Sequence, residues 1–305
     1  MCEFAKRRVS YVNEWPDAEE FEAEKNFRIR CDGFHGQYGA TPFLPMKAWD
    51  DDDRVYQIYI SRLIDALEMM PYCPNRAFAF LFSGFDYYSE EKTSESNITK
   101  RLKRLTNEIY TLSNADRYVD DAVCSLFKSI PMSAAAYIFK RQKEKNNVFR
   151  RLTHDENDHP TLMFSFMGEV KNKYEDITDP VVLRKAAAFL RIVFSRNSVI
   201  VNSNTYQITN EERLTLLISG LLYTLRNDSL HGSSISATKS SQTTVERYAL
   251  NYYAFLALYT IASIMLIHNE TADPALAASR YSELKDRTDS NISNMRLLFG
   301  NHLTK

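Results

Sequence analysis

The feature of this chain that most constrains its fold is a shortage of turn-forming residues, with 8 glycines and 9 prolines among 305 residues. Folds made of many short strands need a turn roughly every 8 to 12 residues, whereas long helices need far fewer. A hydrophobic fraction of 44% is sufficient for a sizeable buried core. The sequence therefore predicts an all-α protein folded as a helical bundle.

Hydrophobic periodicity divides the chain into three predicted segments. Residues 1–52 lack a sustained helical pattern, and residues 27–31 alternate apolar and charged side chains as a short strand does. Residues 53–175 and 176–305 carry apolar side chains at helical spacing. We therefore expect an irregular N-terminal segment, a helical N-terminal portion and a C-terminal helical bundle.

One uncharged stretch, residues 249–267, is long enough to cross a membrane. It contains polar side chains, among them Asn251, Thr260 and Ser263, that would be unfavourable against lipid. We therefore predict that it belongs to a buried core or dimer helix over about residues 243–268, and no membrane partner is expected.

The strongest functional signal is the sequence RNDSLHG at residues 226–232. It brings the guanidinium of Arg226, the amide of Asn227 and the imidazole of His231 close together along the chain. Arg can neutralise the charge that develops on a phosphorane, and His can accept and donate protons near neutral pH. The combination favours phosphodiester cleavage without a metal ion, with these three residues as the candidate catalytic set.

The motif is expected at the end of a helix over about residues 210–227. Thr209 and Glu212 have the spacing of a capping box, and a glycine, the residue type found just past helix ends, follows His231. In a continuing helix, Arg226 and His231 would lie about 140° apart around the axis. We therefore expect the helix to stop between them.

Arg226, Asn227 and His231 match a known signature, and on these residues the C-terminal bundle resembles the HEPN superfamily (higher eukaryotes and prokaryotes nucleotide-binding). The resemblance implies a metal-independent endoribonuclease, often a toxin or phage-defence effector. If an imidazole assists attack by the ribose 2′-hydroxyl, the expected RNA ends are a 2′,3′-cyclic phosphate and a 5′-hydroxyl. It also implies a homodimer with a composite active site, and a possible antitoxin or defence-system partner. Some members carry a tyrosine two positions after the His, to which a partner attaches AMP; Ser233 stands there in this chain.

The residues leave two alternatives to catalysis. One is a non-catalytic HEPN-like module that binds RNA, a nucleotide or a protein. The other is a helical interaction protein in which Arg226 and His231 only complement the negative end of a helix dipole. Neither alternative requires an imidazole beside an Arg-Asn pair, so the intact set favours the nuclease.

A basic stretch within residues 140–151 is the candidate RNA-binding surface, together with a second basic run at residues 100–104. Because the net charge is −1, phosphates must be met by such local patches. The alternative is an ordinary solvated helix face. The residues predicted to bind RNA are Lys140, Arg141, Lys143, Arg150 and Arg151.

No cofactor or metal site is predicted. The chain has no nucleotide-binding glycine loop, and its 4 cysteines lack the spacing of a zinc site or a disulfide framework. The His-, Asp- and Glu-rich run at residues 154–159 lacks helical ligand spacing and is expected to be a surface loop. These cysteines, and residues 1–8 without a signal-peptide pattern, favour a cytoplasmic location.

Overall fold

The computed structural model of this chain describes residues 3–155, 157–230, 236 and 238–305. It is predominantly helical, which confirms the predicted all-α class. The helices are α1 (Glu3–Asn13), α2 (Glu22–Tyr38), α3 (Arg54–Met69), α4 (Pro74–Thr93), α5 (Ile98–Ala115), α6 (Arg117–Ser129), α7 (Met132–Glu144), α8 (Asn146–Thr153), α9 (Leu162–Lys173), α10 (Pro180–Ser195), α11 (Asn210–Thr215), α12 (Tyr223–Leu230), α13 (Val245–Glu270) and α14 (Pro274–Phe299). A π-helical segment, Leu216–Leu222, joins α11 to α12, and a 3₁₀ turn, Gly300–Leu303, follows α14. Strands β1 (Ser198–Val201) and β2 (Asn204–Gln207) pair as an antiparallel hairpin.

Helix α13 forms the centre of the bundle. Every residue from Tyr248 to Ile267 is buried, and the helix packs mainly against α4 and α14. Its composition and length would suit a membrane span, but its most apolar stretch is wholly covered by the rest of the chain. The hydroxyl of Tyr252 donates to the carbonyl of Pro42 at 2.7 Å, which satisfies a polar group inside the core. The prediction of a buried helix here is confirmed.

The N-terminal segment is helical, and the irregular structure predicted for residues 1–52 is wrong over α1 and α2. The strand predicted at residues 27–31 lies inside α2, where Phe27, Cys31 and Phe34 are buried. Phe27, Cys31 and Phe34 lie four and three residues apart, as one face of a helix requires. Phe27 and Cys31 also belong to the alternation of residues 27–31 that predicted a strand. An alternation of five residues is too short to separate the two periods.

A single hydrophobic core contains residues from all three predicted segments, including Phe27, Phe78 and Phe255. Helix α4 packs on α13, and α7 packs on α10. Residues 53–175 and 176–305 are therefore not separately packed units.

The β-hairpin precedes the helix that carries the RNDSLHG motif. Asn202 and Ser203 form its two-residue turn with positive φ angles of 46° and 72°, the backbone that matches the twist of paired strands. Thr209 and Glu212 then make both hydrogen bonds of the predicted capping box, which is confirmed. Buried Arg213 donates to the carbonyl of Val193 at 3.0 Å and so ties the start of α11 to α10.

Gly84 allows α3 and α4 to approach closely. A Cβ atom at this position would lie 2.7 Å from the Cβ atom of Arg62, a distance that real side chains do not tolerate. A Cβ atom at Gly168, in α9, would meet no atom within 4 Å apart from its chain neighbours and the nearby backbone of its own helix. The close approach at Gly84 matters for the site because α4 also carries Asp86 and Glu90.

Candidate functional site

The RNDSLHG motif begins on the last turns of a continuous rod formed by α11, the π-helical segment and α12. The rod extends to Leu230, so the helix end predicted near residue 227 is wrong. Within the π-helical segment, the carbonyl of Ser219 accepts a hydrogen bond from the hydroxyl of Thr224 at 3.1 Å. π-Helical segments inside α-helices are rare and are frequently found at functional sites. His231, the third predicted catalytic residue, lies outside the described residues.

The guanidinium of Arg226 is held from two sides. Its Nη1 donates to Oδ1 of Asn227 at 3.1 Å, and its Nη2 donates to Oδ2 of Asp86 at 3.3 Å. The side chain keeps 27% of its surface exposed. Because a guanidinium has five N–H donors, donors remain for a phosphate. The structure therefore brings Arg226 and Asn227 together and fixes the orientation of the cation.

Asp86 is shared between two arginines. One carboxylate oxygen accepts from Arg226 and the other accepts from Arg101. Arg101 is only 2% exposed and also donates to the carbonyl of Glu95. A buried guanidinium needs its anionic partner, so this pair is fixed in place. Asp86 is oriented by the core and in turn orients Arg226.

Sequence reasoning missed Asp86 and assigned Arg101 to an exposed basic run at residues 100–104. Arg101 is instead among the largest fully buried side chains. A local signal for Asp86 does exist, because it stands one helical turn after Phe82, a buried residue of the apolar face of α4. An acid at such a position usually has a buried cationic partner.

Asn227 also lines a small pocket of about 130 Å³. This pocket lies on a different side of α12 from the contact between Arg226 and α4. The side chains around it are predominantly polar or cationic. They are Lys145, Asn147, Val148, Arg151, Thr224, Asn227 and Asp228.

Asp228 anchors the end of α12 to α7. Its carboxylate accepts from the hydroxyl of Tyr137 at 2.6 Å and from Nζ of Lys145 at 2.8 Å, and it lies 2.7 Å from Nη2 of Arg141. Burial raises the pKa of Asp228, but the hydrogen bonds from Lys145 and Tyr137 and the positive charges of Arg141 and Lys145 outweigh burial and lower it. Asp228 is therefore a charged structural anchor.

Two of the predicted RNA-binding residues reach the site helix. Arg141 contacts the carboxylate of Asp228. Arg151 stacks on the ring of Tyr223 at 4.7 Å and donates to the hydroxyl of Thr224 at 2.9 Å. Burial lowers the pKa of Arg151. Both guanidiniums support the end of the rod.

The other three predicted RNA-binding residues lie elsewhere. Nζ of Lys143 donates to main-chain carbonyls at and beyond the end of α9, which makes it a structural contact. Lys140 and Arg150 are exposed and pair with Glu144 and Asp158. The structure does not gather the five residues on one surface around Arg226.

Lys145 is a cation beside the motif that the predicted RNA-binding set did not contain. It reaches Asp228 and keeps 39% of its side chain exposed. It follows Arg141 by four residues, so the helical spacing that placed Arg141 near the motif also indicates Lys145.

A pocket of about 310 Å³ opens beside Arg226 on the α4 side. Phe78 and Phe82 contribute to its lining, but both rings are almost fully buried, and the guanidinium of Arg226 lies over Phe82 at 5.9 Å from the ring centroid. Its rim carries carboxylates, hydroxyls and the Arg226 guanidinium. The rim residues are Ser83, Asp86, Tyr87, Glu90, Arg226 and Ser229.

Within the part of the chain that the structure describes, no group of three or more His, Cys, Asp or Glu side chains is arranged to hold a metal ion. Asp155, in the His-, Asp- and Glu-rich run, accepts hydrogen bonds at Oδ1 from the main-chain N–H groups of Asn157 and His159 in its own loop.

Comparison with protein-family models, curated proteins and solved structures found no match to this chain.

Proposed function

We propose that this protein is a metal-independent endoribonuclease of the HEPN type, with Arg226, Asn227 and His231 as its catalytic residues. The observation that supports this most strongly is the state of Arg226. It is a partly exposed cation, fixed by Asn227 and Asp86, at the mouth of a pocket. Pre-oriented charge of this kind stabilises a transition state that gains negative charge.

In the proposed reaction, an imidazole accepts the proton of a ribose 2′-hydroxyl as that oxygen attacks the adjacent phosphorus. The bond from phosphorus to the 5′-oxygen breaks, and an imidazolium protonates the leaving oxygen. The products are a 2′,3′-cyclic phosphate and a 5′-hydroxyl end. Arg226 stabilises the phosphorane, and Asn227 orients the guanidinium and the phosphate.

One histidine cannot be base and acid at the same moment, so the proposal includes a homodimer with a composite active site that supplies His231 twice. It also includes a cytoplasmic toxin or phage-defence role, held in check by an antitoxin or defence-system partner. Sedimentation of the dilute, active protein as a monomer would contradict the composite site.

A non-catalytic RNA-binding module is the second candidate. The observation that favours it is the partly exposed guanidinium of Arg226, which can bind a phosphate without any acid/base group beside it. The two functions differ in one product, since only the nuclease creates new RNA ends.

The test is incubation of purified protein with single-stranded RNA in excess EDTA, followed by analysis of the ends. The proposal predicts cleavage, with 2′,3′-cyclic phosphate and 5′-hydroxyl termini. Activity that disappears with EDTA and returns with magnesium would contradict the mechanism. Binding without cleavage under all conditions would favour the second candidate.

A further inference from the structure

The pocket beside Arg226 has the chemistry of a site for one nucleobase. Its volume of about 310 Å³ is at the small end of ligand pockets. The ring of Tyr87 is partly exposed and offers a face to a planar base, while Phe78 and Phe82 complete the apolar lining. Single-stranded RNA is usually recognised by bases that leave the stack and pack on aromatic side chains.

Glu90 is the acceptor that this pocket offers to a base. One of its oxygens, Oε2, lies 3.5 Å from Nη1 of Arg101, beyond a strong hydrogen bond, and Oε1 has no partner within the described residues. The side chain is 49% exposed, so a base can reach it. The other carboxylate of the rim, Asp86, is already occupied by Arg101 and Arg226.

Two adjacent carboxylate oxygens discriminate among bases because an ionised carboxylate only accepts. Guanine presents two neighbouring donors, N1–H and the N2 amino group, and both can pair with one carboxylate. Adenine and cytosine present one amino group beside a ring nitrogen that is itself an acceptor. Uracil presents a single N–H between two carbonyl oxygens. Guanine also has O6, which the hydroxyls of Ser83 and Ser229 can meet as donors.

We propose that the pocket lined by Phe82, Tyr87 and Glu90 binds a guanine base next to the phosphate that is cleaved, and that Glu90 determines this specificity. The proposal rests on the function proposed above, because it places the base beside Arg226, the residue proposed to contact the scissile phosphate. It names the substrate as single-stranded RNA that contains guanosine at the cleavage position.

The test uses short RNA oligonucleotides with a single G, A or C in a uridine background. We expect cleavage next to G to be about 10- to 100-fold faster than at the other bases, the effect of charge-assisted hydrogen bonds. Replacing guanosine by inosine deletes only the N2 amino group and should remove about tenfold of that preference. This arm uses the unmodified protein, so it stands even if a variant fails to fold.

The protein arm compares Glu90→Gln with Glu91→Gln. Both remove one negative charge from α4, but Glu91 is exposed and does not line the pocket. Glu90→Gln should abolish the guanine preference, so that this variant cleaves at G, A and C at equal rates, while Glu91→Gln should retain the preference. Equal rates at G, A and C in the unmodified protein would overturn the proposal.

A binding arm separates this proposal from the nuclease itself. Oligonucleotides carrying 2′-O-methyl groups lack the attacking hydroxyl, so their affinity can be measured by fluorescence anisotropy without cleavage. A guanine preference that disappears in Glu90→Gln supports the pocket even if no RNA is ever cut. Equal affinity for G, A and C overturns the pocket even if the protein proves to be a nuclease.

Discussion

Asp86→Asn is the substitution that separates the structural role of this carboxylate from its role at the site. Asn keeps the size of the side chain but removes the charge shared by Arg101 and Arg226. It also turns one acceptor into a donor, which then faces one of the two guanidiniums. The structure predicts that the two arginines respond differently, because they differ in burial.

The expected loss of stability comes mainly from Arg101. Removing one partner of a buried ion pair typically costs about 3 to 5 kcal/mol. Arg101 keeps Glu90 at 3.5 Å, and Asp86 itself is 22% exposed, so part of this loss is recovered. We therefore expect Asp86→Asn to lower the free energy of unfolding by about 2 to 3 kcal/mol. The Asp86–Arg226 pair, whose side chains are 22% and 27% exposed, should contribute about 0 to 1 kcal/mol.

Two double-mutant cycles, measured by urea unfolding at pH 7, give the coupling energies of Asp86 with Arg101 and with Arg226. The cycle of Asp86→Asn with Arg101→Met should give a coupling energy of about 2 kcal/mol, and the cycle with Arg226→Ala should give less than about 1 kcal/mol. In cleavage assays the larger coupling should instead be between Asp86 and Arg226, since only Arg226 is proposed to contact the phosphate. The reasoning is refuted if Asp86→Asn changes stability by less than about 0.5 kcal/mol, or if the larger coupling in unfolding is with Arg226.

Two further predictions concern stability. Gly84→Ala should destabilise the protein by about 1 to 3 kcal/mol, because its Cβ atom would lie 2.7 Å from that of Arg62. Gly168→Ala, at an open helix position, should stabilise the protein by about 0.5 to 1 kcal/mol. Thermal unfolding that gives both substitutions the same sign would contradict the packing. The stability that Asp228 contributes through its lowered pKa is complete above the unfolded-state value of about 3.9 and is lost as the pH falls toward the lower folded-state pKa. Asp228→Asn should therefore be less stable than the unmodified protein at pH 7 and lose less stability between pH 5 and pH 3, as urea midpoints can show; parallel curves would contradict the lowered pKa.

The features that the sequence predicted correctly are those with a local signature. The capping box at Thr209 and Glu212 depends on residues three apart, and the buried helix α13 depends on a long apolar run. Helix α2 was missed because its short alternation of apolar and charged residues fits two periods equally well. The π-helical segment was missed because its residues are all buried and all but Ser219 are apolar, so no polar face marks the change of period.

The candidate site could be predicted only in part because most of its contacts join distant parts of the chain. Arg226 and Asn227 are adjacent, and their contact follows from the motif. Asp86 is 140 positions away from Arg226, and no spacing rule connects the two. Basic residues also look alike in a sequence, whether they face solvent or, as Lys143 does, bind carbonyls. A count of charges could not separate these environments.

The role of His231 is the central claim, and single-turnover cleavage of RNA in EDTA tests it most directly. His231→Ala should reduce the cleavage rate by about 10²- to 10⁴-fold, the usual contribution of an acid/base group, with RNA affinity nearly unchanged because Arg226 keeps its charge. His268→Ala, which removes an exposed imidazole at the end of α13, should cleave at the unmodified rate. Equal rates for the His231→Ala protein and the unmodified protein would contradict the catalytic role of the RNDSLHG motif.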